Sequence, residues 1–375
     1  MLDHIKKIIR LKHVIIIAVN ALLLLAFTGC LIFSGAIKRP LHSQQAAAAW
    51  AGQSGERFSQ ISVFFPESVS FNVENIHDLY PALDQALLGV SLESTPDRAL
   101  YKDAWSAGGE VSVVSERGQT TAPVIGVGGD FFLFHPLRLR DGSYISPGDI
   151  MKDRVVLDEE LAWRLFGSVR LAGFEVFINN RPFKIAGVIS RENDFSSKKA
   201  YSGGAGLFMS YEVLAEMRDG EISIGCYEIV MPDPITGFAV GALKDSLTDP
   251  GVQIVENSVR FSLSNSFRAI GSFGERSMQK VAIEYPYWEN AARYAEDWLA
   301  LLLLLALLFI LCPVVCGVIY GVKLIRFALK HSKTTFSRLV AEHDDRAYEK
   351  YLLEHDGEHQ IYDVNEIIRE MRDDR

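Results

Sequence analysis

Two long runs without a single charged side chain dominate this sequence: Val14 to Ile37 and Trp298 to Val322. A helix needs about 20 apolar residues, rising about 1.5 Å each, to cross the hydrocarbon of a bilayer. Both runs meet that length and exceed an ordinary core helix, so we read them as two membrane spans. Lys6, Lys7, Arg10 and Lys12 precede the first run, and Lys323, Arg326, Lys330 and Lys333 follow the second. Basic flanks mark the cytoplasmic side. Lys38 and Arg39 weaken the asymmetry of the first span without reversing it. The expectation is a two-pass cell-membrane protein with both termini cytoplasmic and residues 38–297 extracytoplasmic.

Other readings of the first run fit less well. A cleaved signal peptide carries an apolar stretch of about 7–15 residues, shorter than this one, and a cleavage site would fall at the alanine run Ala46 to Ala49. Phe27-Thr28-Gly29-Cys30 resembles a lipobox, yet Leu31, Ile32 and Phe33 follow where a lipidated chain turns polar. Upstream, Leu2, Ile5, Ile8 and Ile9 share one helical face and Lys6, Lys7 and Arg10 the others. Residues 1–12 therefore read either as a short helix in the cytoplasmic interface or as a plain basic flank.

The chain carries a net charge of −9, with 49% hydrophobic residues. An acidic balance argues against nucleic-acid binding, which needs a basic stripe to displace counterions. The apolar content excludes a disordered chain. Four cysteines are too few for a disulfide scaffold, and Cys226 alone lies between the apolar runs.

Between the spans, the pattern predicts alternating short strands and helices. Ile61–Phe65 is a strand stopped by Pro66. Asn72–Val90 is a helix with Val73, Ile76, Leu79, Tyr80, Leu83 and Leu87 on one face. Leu100–Trp105, Glu110–Ser115 and Thr121–Val127 read as three strands. Asp158 opens a helix with Leu161, Ala162 and Leu165 inward and Gly167 as its stop. Phe174–Ile178 and Phe183–Ile189 form a hairpin through Asn179-Asn180, residues that accept the positive φ of its turn. Leu207–Met209 is a short strand and Tyr211–Met217 a short helix. Cys226–Met231 is a strand, Asp233-Pro234 starts a helix running to Leu247, and Val252–Val255 follows as a strand. The fold class is α+β in two lobes, with a strand-rich insertion at 99–218 between strand–helix units. The organisation is 1–12 cytoplasmic segment, 13–37 first span, 38–286 extracytoplasmic domain, 287–325 helix continuing into the second span, and 326–375 acidic cytoplasmic tail.

No constellation for catalysis stands out. There is no GxxxxGK[ST], HExxH or GxSxG. The reading is therefore not an enzyme, with no cofactor and no metal assigned. His135, ahead of Pro136 in an aromatic stretch, reads as a loop histidine rather than a base. Cys312 and Cys316 read as small packing residues on a membrane helix kinked at Pro313. Gly126–Gly129 and Gly203–Gly206 read as turns, and Asp158, Glu159 and Glu160 as first-turn acids that favour the helix dipole.

Several stretches in series resemble the periplasmic core domain of MacB-type ABC-transporter permeases, a group that includes FtsX-like and lipoprotein-releasing permeases. They are Val124-Ile125-Gly126-Val127-Gly128-Gly129-Asp130-Phe131-Phe132, then Leu137–Asp149, then Val155–Gly167, then Phe174–Ile178 and Phe183–Ile189. The resemblance covers about residues 1–325. It implies a two-lobed domain, with a porter-like lobe and a second lobe from the insertion, and a non-enzymatic permease subunit that pairs as a dimer and passes motion from a cytoplasmic ABC ATPase to the outer domain. Family members serve efflux, lipoprotein release or control of wall hydrolases. They carry four spans where two are found here, so a four-span permease chain is an expected partner. The rival reading is a non-transporting cell-envelope receptor or scaffold with the same outer domain.

Two further features bear on partners. In the tail, Phe336, Leu339, Val340, Tyr348, Tyr351 and Leu352 suggest one amphipathic helix, and Asp363 with Glu366 opens another carrying Ile367, Ile368 and Met371. Those last three are the candidate docking contacts; a solvated tail is the alternative. Before the second run, Tyr285, Tyr287, Trp288, Tyr294 and Trp298 cluster as an aromatic belt would, so Trp288, Tyr294 and Trp298 are candidate membrane-interface anchors. Glu289 and Arg293 are spaced for an i,i+4 pair. One continuous helix is expected from Tyr287 through the bilayer.

Overall fold

A computed structural model of the chain describes residues 2–52, 55–93, 99–201, 206–218, 220, 222–279 and 282–355. It divides into two compact units, Met1–Leu25 with Leu308–Arg375, and Ala26–Leu307. The tail positions Ile367, Ile368 and Met371 lie outside the described residues.

The chain opens with α1 (Leu2–Lys38) and a short α2 (Ala46–Ala51), then β1 (Phe58–Phe64) and α3 (Val73–Gly89). Asn72 and Asn75 bond each other's backbone N–H reciprocally, which fixes the start of α3. The hairpin β2 (Lys102–Ser115) and β3 (Gly118–Gly129) follows, then α4 (Phe131–Phe134) and β4 (Arg138–Gly142). β5 (Arg154–Asp158) leads straight into α5 (Glu159–Phe166), where the Asp158 side chain accepts from the N–H of Leu161 and Gly167 ends the helix at φ 69°. Next come β6 (Glu175–Ile178) and β7 (Arg181–Ser190), joined by Asn179 and Asn180 at φ 46° and 64°. Then follow α6 (Ser197–Ala200), β8 (Leu207–Ser210), α7 (Tyr211–Glu216), β9 (Cys226–Pro232), α8 (Phe238–Ser246), β10 (Gln253–Glu256), α9 (Leu263–Ile270) and α10 (Tyr287–His355).

The ten strands of the described residues belong to one sheet. Its first part runs β10-β1-β9-β2, and α3 and α8 cover one face. Ile61, Val63, Ile76, Leu83, Tyr227, Ile229 and Leu243 fill the core between them. In its second part, β2 pairs β3, β3 pairs β8, β8 pairs β5, β5 pairs β7, β7 pairs β6, and β6 returns to β2. Those six strands close on themselves around Val111, Val113, Val124, Leu157, Val176 and Ile185, with Leu161 and Leu165 of α5 in the same core. β4 pairs β7 outside this closed ring and ends the strand order.

Three local expectations are corrected here. Leu100–Trp105 and Glu110–Ser115 are not two strands: β2 runs unbroken through Gly108-Gly109, held there by the ladder to Ile125 and Val124 of β3. Its first half pairs β9 and its second half β6, so one strand belongs to both lobes. Gly126–Gly129 is not a turn but the end of β3. A Cβ on Gly126 would lie 2.8 Å from Leu214 of α7, and one on Gly128 would sit inside the Trp105 indole. The helix after β9 starts at Phe238 rather than at Pro234, because Gly237 stands at φ 85°. Asp233 still serves it from a distance, accepting from the N–H of Ala239 at 3.2 Å while its other oxygen meets Arg57 at 3.0 Å.

Leu11–Lys38 and Tyr287–Leu329 are the two described helical stretches long and apolar enough to cross a membrane. Within the first unit, the Asn20 amide of α1 donates to the Ile16 carbonyl and reaches Cys316 Sγ of α10 at 3.6 Å. His13 lies 6.4 Å from the Tyr320 ring.

Candidate functional site: a buried charge junction under the folded domain

Four polar side chains of α10 fall at i, i+4, i+7 and i+8: Glu289, Arg293, Glu296 and Asp297. At 3.6 residues per turn they share one face, and that face turns into the protein. Glu289 is 1% exposed and Asp297 3%. A charge so enclosed persists only when paired and hydrogen-bonded.

Arg260, in the segment between β10 and α9, supplies the principal partner. Its Nη1 and Nη2 each lie 2.6 Å from one oxygen of Glu289, a fork-on-fork pair, and its Nε lies 2.8 Å from Glu296. Nη1 also reaches Oε1 of Gln44 at 3.2 Å, in the segment that follows α1. Arg293 donates to Glu289 at 2.6 Å, the i,i+4 pair expected from spacing. Arg276 holds the far oxygen of Glu296 at 2.9 Å, and Ser277 donates to Asp297 at 3.1 Å. The guanidinium groups of Arg260, Arg276 and Arg293 thus face the carboxylates of Glu289, Glu296 and Asp297, and the formal charges cancel. Burial works against the Arg260 charge, but Glu289 and Glu296 beside it prevail and raise its pKa above the usual arginine value. The junction ties four separate segments together: the link after α1, the strand-to-helix segment around Arg260, the segment after α9 that carries Arg276 and Ser277, and α10 just before its apolar run.

Above this junction sits an aromatic core that corrects one expectation. Trp288 is not a surface anchor: it is 2% exposed, packed against Phe131 and His135 at 5.6 and 4.3 Å between ring centres. The flanking tyrosines are also engaged in the domain, Tyr285 on Phe64 and Tyr287 stacked on Tyr201. Tyr294 and Trp298 are half-buried and meet Phe195, which in turn touches Phe33 of α1. His135 lies in the loop after α4, as expected, but inside the core. It is 3% exposed and bonds Glu228 of β9 at 2.5 Å. Nearby, burial raises the Glu192 carboxyl above its usual range, opposed by His135 and by the Tyr287 and Tyr201 hydroxyls.

A second enclosed carboxylate lies in the first lobe. Asp103 accepts from Tyr80 at 2.9 Å and Tyr227 at 3.1 Å. Burial lifts its pKa against the pull of those two hydroxyls. Among the described residues, no group of three histidine, cysteine, aspartate or glutamate side chains is placed to hold a metal ion.

Arg260, Arg276, Glu296 and Asp297 escape a reading of local sequence. The helical spacing of the α10 acids is a usable signal, but Arg260 lies 29 residues from Glu289. Nothing local joins them.

The model of the MacB-like periplasmic core domain matches residues 57–246. A macrolide export ATP-binding/permease protein MacB of Aggregatibacter actinomycetemcomitans is 26% identical over 142 residues, which is 37% of this chain and 21% of that protein. The protein of the same description from Chromobacterium violaceum is 29% identical over 156 residues, 37% of this chain and 23% of the relative. The chain thus spans about a fifth of the length of the curated relatives it matches. Among solved structures, the periplasmic region of MacB from Actinobacillus actinomycetemcomitans aligns at a TM-score of 0.40 and 17% identity, over 53% of this chain and 89% of that one. The extracellular domain of the ABC-type transporter YknZ aligns at 0.37 and 14%, over 52% of this chain and 99% of its own.

Proposed function

Because the chain belongs to the family of the MacB-like periplasmic core domain, we propose that it is a permease-type subunit of an ABC-transporter complex, coupling a cytoplasmic ATPase to an extracytoplasmic domain. The observation that carries this reading is α10. It starts inside the folded domain at Trp288, is gripped at Glu289 and Glu296 by Arg260, and runs as one helix to His355 through an apolar stretch fit to cross a membrane. A push or twist at its cytoplasmic end therefore has a covalent route to the junction. In this reading the ATP-driven motion comes from a cytoplasmic ABC ATPase.

In this reading both termini are cytoplasmic and residues 38–297 lie outside. The ABC ATPase docks on the tail, with Ile367, Ile368 and Met371 as its apolar contacts, since the amphipathic pattern of their sequence would leave an apolar stripe that needs a partner to bury it. A four-span permease chain and a second copy of this chain complete the complex.

The test is purification of the full-length protein in mild detergent, with identification of what accompanies it. An ATPase is expected, and Ile367→Ser/Ile368→Ser/Met371→Ser should release it while leaving the outer domain folded. A gentle preparation that carries no ATPase would instead favour the receptor or scaffold reading.

A further inference from the structure

α9 is an amphipathic helix whose apolar face is left uncovered. Ser266 and Ala269 point inward and are buried, while Leu263 and Phe267, one turn apart, are 69% and 50% exposed. Phe273, just beyond the helix, is 51% exposed. Scattered exposed apolar side chains are ordinary, but three large ones grouped on one short segment mark a surface with a partner.

The placement of the helix says which partner. The carbonyl of Phe261, two residues before α9, accepts from Nζ of Lys38, the residue that ends α1. Arg260, one residue earlier, grips Glu296, two residues before the apolar run of α10 begins at Trp298. α9 is thus tied at its start to the points where both apolar helices leave their apolar stretches. Close to these points Phe195 is in ring contact with Phe33, Tyr294 and Trp298, and Tyr294 with Trp298. On α1, Leu31 and Ile32 are more than half exposed there.

We infer that α9 is a third membrane contact, a helix lying in the outer lipid interface with Leu263, Phe267 and Phe273 set into the acyl boundary. The inference rests on the reading that the two apolar helices cross the bilayer. A helix of this kind sinks about 5–10 Å below the headgroups. Exposed Arg268 beside Phe267 suits the lipid phosphates. The contact would set the height of the Arg260 junction against the bilayer surface, so that motion of α10 is exerted against a fixed floor rather than dragging the domain along.

The test uses full-length protein in vesicles of phosphatidylcholine and phosphatidylglycerol, with a fluorophore on one added cysteine and a nitroxide lipid as quencher. The preparation without an added cysteine sets the background from native thiols. Leu31→Cys reports the first span, Gln119→Cys the exposed tip of the β2–β3 hairpin, and Phe267→Cys the face of α9. The expected result is a blue-shifted Phe267→Cys label quenched as strongly as the one at Leu31→Cys, with Gln119→Cys unquenched. A Phe267→Cys label as water-exposed as Gln119→Cys, beside a quenched Leu31→Cys, overturns the inference and leaves the spans standing. A blue shift without lipid quenching also overturns it, because protein would then cover α9. An unquenched Leu31→Cys label removes the membrane reading itself, and the inference with it.

Discussion

Arg260 and Glu289 meet through two parallel hydrogen bonds of 2.6 Å, inside the protein and 29 residues apart in the chain. Removing one partner of such a pair strands a buried charge and costs about 3–5 kcal/mol, whereas replacing both by apolar groups of similar volume is often close to neutral. Arg260→Met should therefore lower the thermal unfolding midpoint of the full-length protein in detergent sharply. Arg260→Met/Glu289→Leu should recover part of the loss, since Arg276 still holds Glu296, and Arg293, which loses Glu289, keeps the Arg276 carbonyl and the Tyr285 ring. A double variant no more stable than the single one would show that pairing is not what the junction contributes.

Leu165 packs with Leu161 in the closed second lobe and is 2% exposed. Leu165→Ala should cost about 2–5 kcal/mol, the range for a large-to-small change in a filled core. Trp163, on the opposite side of the same helix and 58% exposed, is the control: Trp163→Ala should shift the unfolding midpoint far less. Equal effects at the two positions would mean that the facing of α5 is wrong.

Asp103 predicts a pH dependence. Burial lifts its carboxyl above the ordinary 3.8. Between that value and its higher folded pKa, the folded state binds more protons than the unfolded one. Its contribution to stability is therefore complete below about pH 4 and is lost as pH rises through the folded pKa. Asp103→Asn keeps an acceptor for one tyrosine and cannot ionise. The stability of the wild type relative to Asp103→Asn should fall as pH rises from about 4 through the folded pKa; a stability difference that stays constant as pH rises from about 4 would contradict the buried-acid account.

Orientation is checked by labelling from one side. Gln119→Cys should react with an impermeant thiol reagent in intact cells, and Gly357→Cys only after permeabilisation. Reaction of Gly357→Cys from outside would remove both the two-pass arrangement and its direction.

Where the sequence carried its own instructions, the elements were legible. Asp158 and Gly167 delimit α5 because a capping carboxylate and a left-handed glycine act within a single turn. Asn179 and Asn180 tolerate the positive φ that their hairpin needs. What the local pattern hid depends on distant partners. Gly108-Gly109 looks like a break until β3 supplies the ladder that carries β2 across it. Trp288 looks like a belt residue because an aromatic ring at a span entry suits lipid and core alike; Phe131 and His135, more than 150 positions earlier, decide it. The Glu289–Arg293 pair was visible as helical spacing, but Arg260, which completes the site, was not. His135 is the loop residue its sequence suggests, but its burial was hidden because its partner Glu228 lies 93 residues away on another strand.

The central claim is that events at a cytoplasmic ATPase reach the folded domain through α10 and the Arg260 junction. Hydrogen exchange on the reconstituted complex, with and without bound ATP, tests it most directly. The account predicts that exchange across residues 257–300 changes when ATP binds, while α3 and α5 stay as they were, and that Arg260→Met abolishes the change without releasing the ATPase. A complex that hydrolyses ATP while exchange across residues 257–300 stays the same would contradict it.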